Sequence, residues 1–235
     1  MKRALAILTI LVLMCIFAFG CNKDTDTNDK SNILYVSSML TQDENGEIDA
    51  EKATSLMVAL KSAGHEIKPE NMYSSVESVP AEKLAGNYLY IFEGVNAPQQ
   101  LPSDGMIWFI NTSPIGVGIT FGDSSWAETS QGFTVEEADS FATDKISTAI
   151  KENVDFSGGQ ITPTVRKYSK IADDKSSLTE IYKTGESPLV LAGEVNGQRI
   201  VVFTFDIKNS SLPFFVADFP VFMKNLFQFG DVSLD

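Results

Sequence analysis

The sequence predicts an α/β fold: a mainly parallel sheet wound with helices on both faces, a flavodoxin-like three-layer sandwich with a β-hairpin near the C-terminus and a C-terminal amphipathic helix. Three observations carry this. Apolar stretches inside residues 87–95 (YLYIF), 106–111 (MIWFI) and 200–205 (IVVF) run almost unbroken instead of alternating, the pattern of strands covered on both faces. Asn196-Gly197 separates two such runs, 188–193 and 200–205, and this dipeptide best tolerates the positive φ values of a two-residue hairpin turn. After Asp218 as N-cap and Pro220 in the first turn, Phe219, Phe222, Met223, Leu226 and Phe227 recur at helical spacing, with Lys224, Asn225 and Gln228 opposite.

The remaining elements follow in chain order. Residues 32–38 (NILYVSS) read as a first strand, and a polar turn through Asn45-Gly46 leads to a helix over 49–63. That helix places Ala53, Leu56, Met57 and Leu60 on one face and ends at Gly64, a natural C-cap. His65, the only histidine, follows it; with no Ser, Cys or second His nearby in sequence, it reads as a surface residue near the helix dipole. A short helix at 80–86 precedes the strand at 87–95, and Leu101-Pro102-Ser103-Asp104-Gly105 turns into the strand at 106–111. From 112 to about 184 the pattern weakens, and a short helix within 135–153 with a polar strand at 161–171 reads as an insertion decorating the sheet. Trp126 and Phe133 are its expected buried anchors. Gly116, Gly118 and Gly122 make no phosphate loop, because no helix opens directly after them and no Lys-Ser or Lys-Thr follows.

The first 31 residues read as an address. Lys2-Arg3, an apolar run through Phe19 and then Gly20-Cys21 have the form of a secretory signal over residues 1–20. The segment is similar to a bacterial lipoprotein signal, which implies lipidation of Cys21 and attachment to the cell membrane; Ala18-Phe19-Gly20-Cys21 keeps the last two lipobox positions and departs at the first two. Residues 22–31 (NKDTDTNDKS) hold no apolar side chain and read as a tether, leaving 32–235 as one domain. Asp24, Asp26 and Asn28 lack the glycine and closing glutamate of a calcium loop. Acidic residues outnumber basic ones 31 to 18, and loss of Lys2 and Arg3 takes the net charge from −13 to −15, which argues against nucleic-acid binding. Both cysteines fall within the first 21 residues, so thiolate chemistry is excluded from the folded part. No cofactor or metal is expected.

Residues 87–94 with the Leu101–Gly105 turn, and later residues 194–225 with GQRIVVFTFDIKNSSLP and FPVFMKNLF, resemble the C-terminal domain of bacterial membrane proteins that carry a von Willebrand factor A domain, the aerotolerance-regulator type. That domain is a class I glutamine amidotransferase-like, flavodoxin-like unit. The resemblance implies a flavodoxin-like sandwich outside the cytoplasm in a membrane-associated assembly, with a von Willebrand A-domain protein or another envelope protein as partner. Active amidotransferases place a cysteine in a sharp turn after a central strand and a histidine after a late one. Here those places hold Asn111-Thr112-Ser113-Pro114 and Phe205-Asp206, so nucleophile and base are both missing.

Glu93, Asn111 and Asp206 end apolar strands and should gather, with Thr112 and Ser210, in a cleft at one sheet edge. Two carboxylates there could bind a cation or act as acid and base, but Asp206 and Ser210 also suit capping of the next segment, a role worth about 1 kcal/mol. Ser113 lacks the G-x-S-x-G setting of a serine nucleophile. The expectation is a non-catalytic, lipid-anchored binding or scaffold module. The alternatives are a solute-binding lipoprotein and a hydrolase using Glu93 and Asp206.

Overall fold

The computed structural model describes residues 30–231 apart from 31, 50, 115, 127–131, 139–144, 157–158, 162–163, 171–177, 186 and 210–215. The expected signal, Cys21, the tether except Lys30, and Ser210 lie outside the described residues. No helix among the described residues is long and apolar enough to cross a membrane.

The strands in chain order are β1 (Ile33–Ser37), β2 (Met72–Tyr73), β3 (Leu89–Glu93), β4 (Met106–Ile110), β5 (Ile119–Trp126) and β6 (Phe133–Thr134). There follow β7 (Glu136–Glu137), β8 (Gln160–Ile161), β9 (Thr164–Lys170), β10 (Thr179–Thr184), β11 (Ser187–Val195) and β12 (Gln198–Phe203). Among the described residues three α-helices accompany them: α1 (Ser55–Ser62), α2 (Lys145–Lys151) and α3 (Phe219–Gln228). One eight-stranded sheet has the order β2-β1-β3-β4-β12-β11-β10-β7. β2, β1, β3, β4 and β12 are parallel, while β11, β10 and β7 add on antiparallel. Counted along the chain, the five parallel strands have the 2-1-3-4-5 order of a flavodoxin-like sheet, as the sequence predicts.

Register explains why the strands are apolar throughout. Tyr35, Ile91, Trp108 and Val201 form one row across the sheet, and Val36, Phe92, Phe109 and Val202 form the next row on the opposite face. All eight are buried. The first row faces α1 and α3; the second is covered by Val79, Ala97, Val117 and Ile119 from 3₁₀ turns, loops and the start of β5. Both faces are thus covered, but the helices expected on both lie, among the described residues, on one alone; 3₁₀ turns, loops and the start of β5 bury the other face instead.

The hairpin forms as read, with Asn196 at φ 53 and Gly197 at φ 80 between β11 and β12. α1 is shorter than the predicted 49–63, because Thr54 takes the N-cap: its Oγ1 accepts from the Met57 N–H at 3.2 Å. Burial accordingly falls on Leu56, Ala59 and Leu60, leaving Ala53 exposed. At its other end Gly64, at φ 92, donates to Lys61 O while the His65 N–H donates to Leu60 O, a Schellman closure. In α3 all five predicted apolar residues are buried, and Phe222 meets Phe156, Tyr182 and Phe203 edge-on. Asp218 precedes α3 but does not cap it; its Oδ2 accepts from the Asp155 N–H at 2.9 Å. Asn225 on the expected polar face donates through Nδ2 to Ile150 O at 3.0 Å and Glu152 O at 2.8 Å, closing the end of α2.

The segment read as a decoration does more than decorate. It supplies β7 and β10 to the main sheet, and its β5 and β9 pair separately. Phe133 packs half-buried against the core; the side chain of Trp126 lies outside the described residues.

Candidate functional site

After β1 the chain runs outward to β2 and then returns to β3 on the other side of β1, so the connections diverge at the carboxyl ends of β1 and β3. Open α/β sheets take ligands at such a switch point. Two hollows flank it, one on each face of the sheet.

The hollow on the α1 side, about 170 Å³, is lined by Thr41, Lys52, Thr54, Ser55, Glu93 and Lys208, among others. Glu93 closes β3 and is 2% exposed. Its Oε2 accepts a short hydrogen bond from the Tyr35 hydroxyl and one from Ser37 Oγ at 2.9 Å. The Tyr35 hydroxyl also lies 2.9 Å from Thr54 Oγ1, which ties β1 to the cap of α1. Burial pushes the Glu93 carboxyl above its ordinary range and the charge of Asp206 adds to this, against the opposing pull of the Tyr35 and Ser37 hydrogen bonds and of Lys208. Burial, reinforced by Glu93, holds the Tyr35 phenol well above its usual value, so it remains the donor.

Asp206 reaches the same edge, half-buried, and its Oδ1 accepts from the Lys208 N–H at 2.8 Å, capping the 3₁₀ turn Ile207–Asn209. Thr112 is 1% exposed and donates to Phe92 O at 3.0 Å and Ile110 O at 3.1 Å, so its hydroxyl ties two strands together.

Asn111 belongs to the other hollow, a cleft of about 480 Å³ lined by Ser75, Glu77, Asn96, Asn111, Ser113, Phe121 and Arg166, among others. It leaves β4 in the left-handed region at φ 46, its N–H donating to Phe203 O at 2.9 Å. Asparagine enters this region more readily than most residues other than glycine. The turn leaves Oδ1 to accept from Arg166 Nε at 2.9 Å. Arg166 is brought in by β9: its own N–H donates to Thr204 O at 2.8 Å, and Val165 bridges to Phe205. The β5/β9 pair therefore clips onto the segment after β12 and delivers a guanidinium to the carboxyl edge.

The expected cleft is thus divided. Glu93 and Asp206 share the α1 face, Asn111 serves the larger cleft, and Thr112 is tied to backbone. Arg166 was missed, because it sits in the segment read as decoration; the one hint was that it is the only arginine in residues 112–184.

Ser113 is exposed in the larger cleft, whereas His65 lies beyond the opposite end of α1, half-buried and stacked on Phe227 with ring centroids 3.5 Å apart. Burial, with the charge of Lys30, pushes His65 below its ordinary value. The two cannot form a serine–histidine pair. Among the described residues no group of three or more His, Cys, Asp or Glu side chains could hold a metal ion.

No family model matches the chain, and no curated protein matches it. Solved structures do. Cytoplasmic protein STM3548 from Salmonella typhimurium is similar over 84% of this chain and 98% of its own, with TM-score 0.58 and 9% identity. Cytoplasmic protein STM1381 from Salmonella typhimurium LT2 is similar over 83% of this chain and 98% of its own, with TM-score 0.55 and 11% identity. The mmIFT52 N-terminal domain is similar over 86% of this chain and 98% of its own, with TM-score 0.51 and 13% identity. At these identities the likeness shows the fold alone.

Proposed function

We propose that the chain is a non-catalytic lipoprotein held outside the cytoplasm by a lipid on Cys21, acting as a binding module of a membrane-associated assembly through its switch-point edge. The state of Glu93 carries this reading. A hydrolase would need that carboxyl as acid or base, yet its Oε2 is committed to Tyr35 and Ser37 and the group is almost fully buried. Its partner carboxylate, Asp206, caps a turn. Where the resemblance would put an amidotransferase's cysteine and histidine stand the turn Asn111-Thr112-Ser113-Pro114, whose Thr112 hydroxyl is bonded to backbone, and Phe205-Asp206. The resemblance to the amidotransferase-like domains of von Willebrand A-domain proteins makes such a protein the first partner to seek.

Two measurements test this. Cys21→Ala should abolish lipid processing and release the protein from the membrane fraction; unchanged processing with full membrane retention would overturn the anchor. For the non-catalytic assignment, the purified full chain is screened against ester, amide and glycoside substrates. Turnover that disappears in folded Glu93→Ala/Asp206→Ala protein would establish the hydrolase instead.

A second reading, solute capture, is favoured by one observation: the larger cleft, about 480 Å³, has the size of a small-metabolite site.

A further inference from the structure

Arg166 stands out in the larger cleft as an oriented cation. Its Nε is fixed by Asn111 Oδ1 at 2.9 Å, and its guanidinium carbon lies 6.0 Å from the centre of the Phe121 ring. These two contacts hold the guanidinium from one side and above. Among the described residues no acid pairs with it and no hydrogen bond engages Nη1 or Nη2. A planar guanidinium anchored through Nε presents its outer nitrogens as a two-pronged donor, the geometry that matches a carboxylate.

The rest of the lining narrows the ligand. Glu77 also lines the cleft, and the folded part of the chain is strongly acidic. Both disfavour phosphates and dicarboxylates, which bring more charge than one guanidinium offsets. Ser75, Asn96 and Ser113 supply hydroxyl and amide groups for the far end of a ligand. Asn111 is the structural link: its left-handed backbone turns Oδ1 onto the arginine at the carboxyl end of β4, where the fold leads a ligand to be expected.

The geometry points to this cleft as a binding site for a small monocarboxylate whose remaining groups are hydroxyl, amide or ammonium, with the carboxylate bidentate on Arg166 and the far end toward Glu77, Ser75 and Asn96. This rests on the binding-module reading for the premise that the edge takes a ligand, and it specifies the ligand's chemistry and the residue that reads it.

The test uses the full chain purified in detergent and a panel of probes: the common L-amino acids, lactate and gluconate, each against its own primary amide, with succinate and inorganic phosphate as anions of other charge. Thermal shift finds binders, and calorimetry gives their affinity. At least one monocarboxylate should raise the unfolding midpoint while its amide does not. Arg166→Lys, which keeps the charge but loses the fork, should weaken that binding about tenfold or more. Glu77→Gln, at an exposed position, should strengthen succinate binding relative to the monocarboxylate.

A panel with no binder, a carboxylate and amide that bind equally, or undiminished binding by a folded Arg166→Lys protein each overturns the inference. Should Arg166→Lys fail to fold, Glu77→Gln decides: an unchanged preference between succinate and monocarboxylate then counts against the site. Processing at Cys21 is read separately in the same preparations. Loss of ligand binding with intact lipidation refutes this inference alone, and intact ligand binding without lipidation refutes only the anchor.

Discussion

Glu93→Gln should make the protein gain stability relative to wild type as pH rises. The carboxyl is buried and its folded value lies above the ordinary 4.5, chiefly through burial and then through Asp206. Below 4.5 the group is protonated in both folded and unfolded chains and contributes fully. As pH rises from there through the raised folded value, the unfolded chain releases the proton first and the wild type loses stability. Glutamine does not titrate, and its Oε1 can accept the same bonds from Tyr35 and Ser37. The two stability curves should therefore diverge by up to about 1.4 kcal/mol per pH unit inside that window and run parallel outside it. For a domain of this size that slope is about 3–5 °C in relative Tm per pH unit. Urea unfolding at pH 4, 5, 6, 7 and 8 on both proteins measures it. In an Asp206→Asn background the window should narrow, since one cause of the shift is removed. Curves that stay parallel throughout, or a wild type that gains on the variant with rising pH, would show that Glu93 is not held protonated by its surroundings.

Three further outcomes test the packing that supports the site. Gly105→Ala should cost at least about 1 kcal/mol, since φ is +66 and a Cβ would stand 2.3 Å from the Asn87 carbonyl oxygen; chemical denaturation reads it. Phe222→Ala should cost about 3–5 kcal/mol, because its ring fills the space between Phe156, Tyr182, Phe203 and Phe219, and the denaturation midpoint should fall without loss of cooperativity. Asn225→Ala removes both hydrogen bonds to the carbonyls ending α2 and should cost about 1–3 kcal/mol, with faster amide exchange confined to Lys145–Lys151.

What the sequence made legible was local or periodic. Asn196-Gly197 states its turn within two residues, and the stripe from Phe219 to Phe227 states its own buried face. The unbroken apolar runs announce strands buried on both sides because each row of the sheet alternates between two covered faces. What stayed hidden depended on distant partners. Glu136 and Glu137 look like surface residues, yet they pair with Lys183 and Tyr182 to form the sheet's last edge. Asp218 has the form of an N-cap, but a backbone N–H from Asp155 competes for its carboxylate. Arg166 meets Asn111 only because β9 docks its backbone on Thr204, and nothing within a short window around either residue encodes that.

The two hollows at the switch point are chemically independent, and this decides what a combined experiment should show. Side chains alternate across a sheet, so Glu93 follows Tyr35 and its row onto the α1 face. The chain then turns at Gly94, at φ 61, which lines the larger cleft on the other face; a Cβ there would stand 2.7 Å from Ser38 Oγ. A ligand on Arg166 is consequently separated from the Glu93 carboxyl by the edge of the sheet itself. Glu93→Gln should change the pH dependence of stability and leave carboxylate affinity within about twofold, while Arg166→Lys should do the reverse, as expected for sites that share no partner. A larger change in affinity on Glu93→Gln would mean that the carboxyl reaches through the edge to the ligand, and would return Glu93 to the list of groups able to act on a bound substrate.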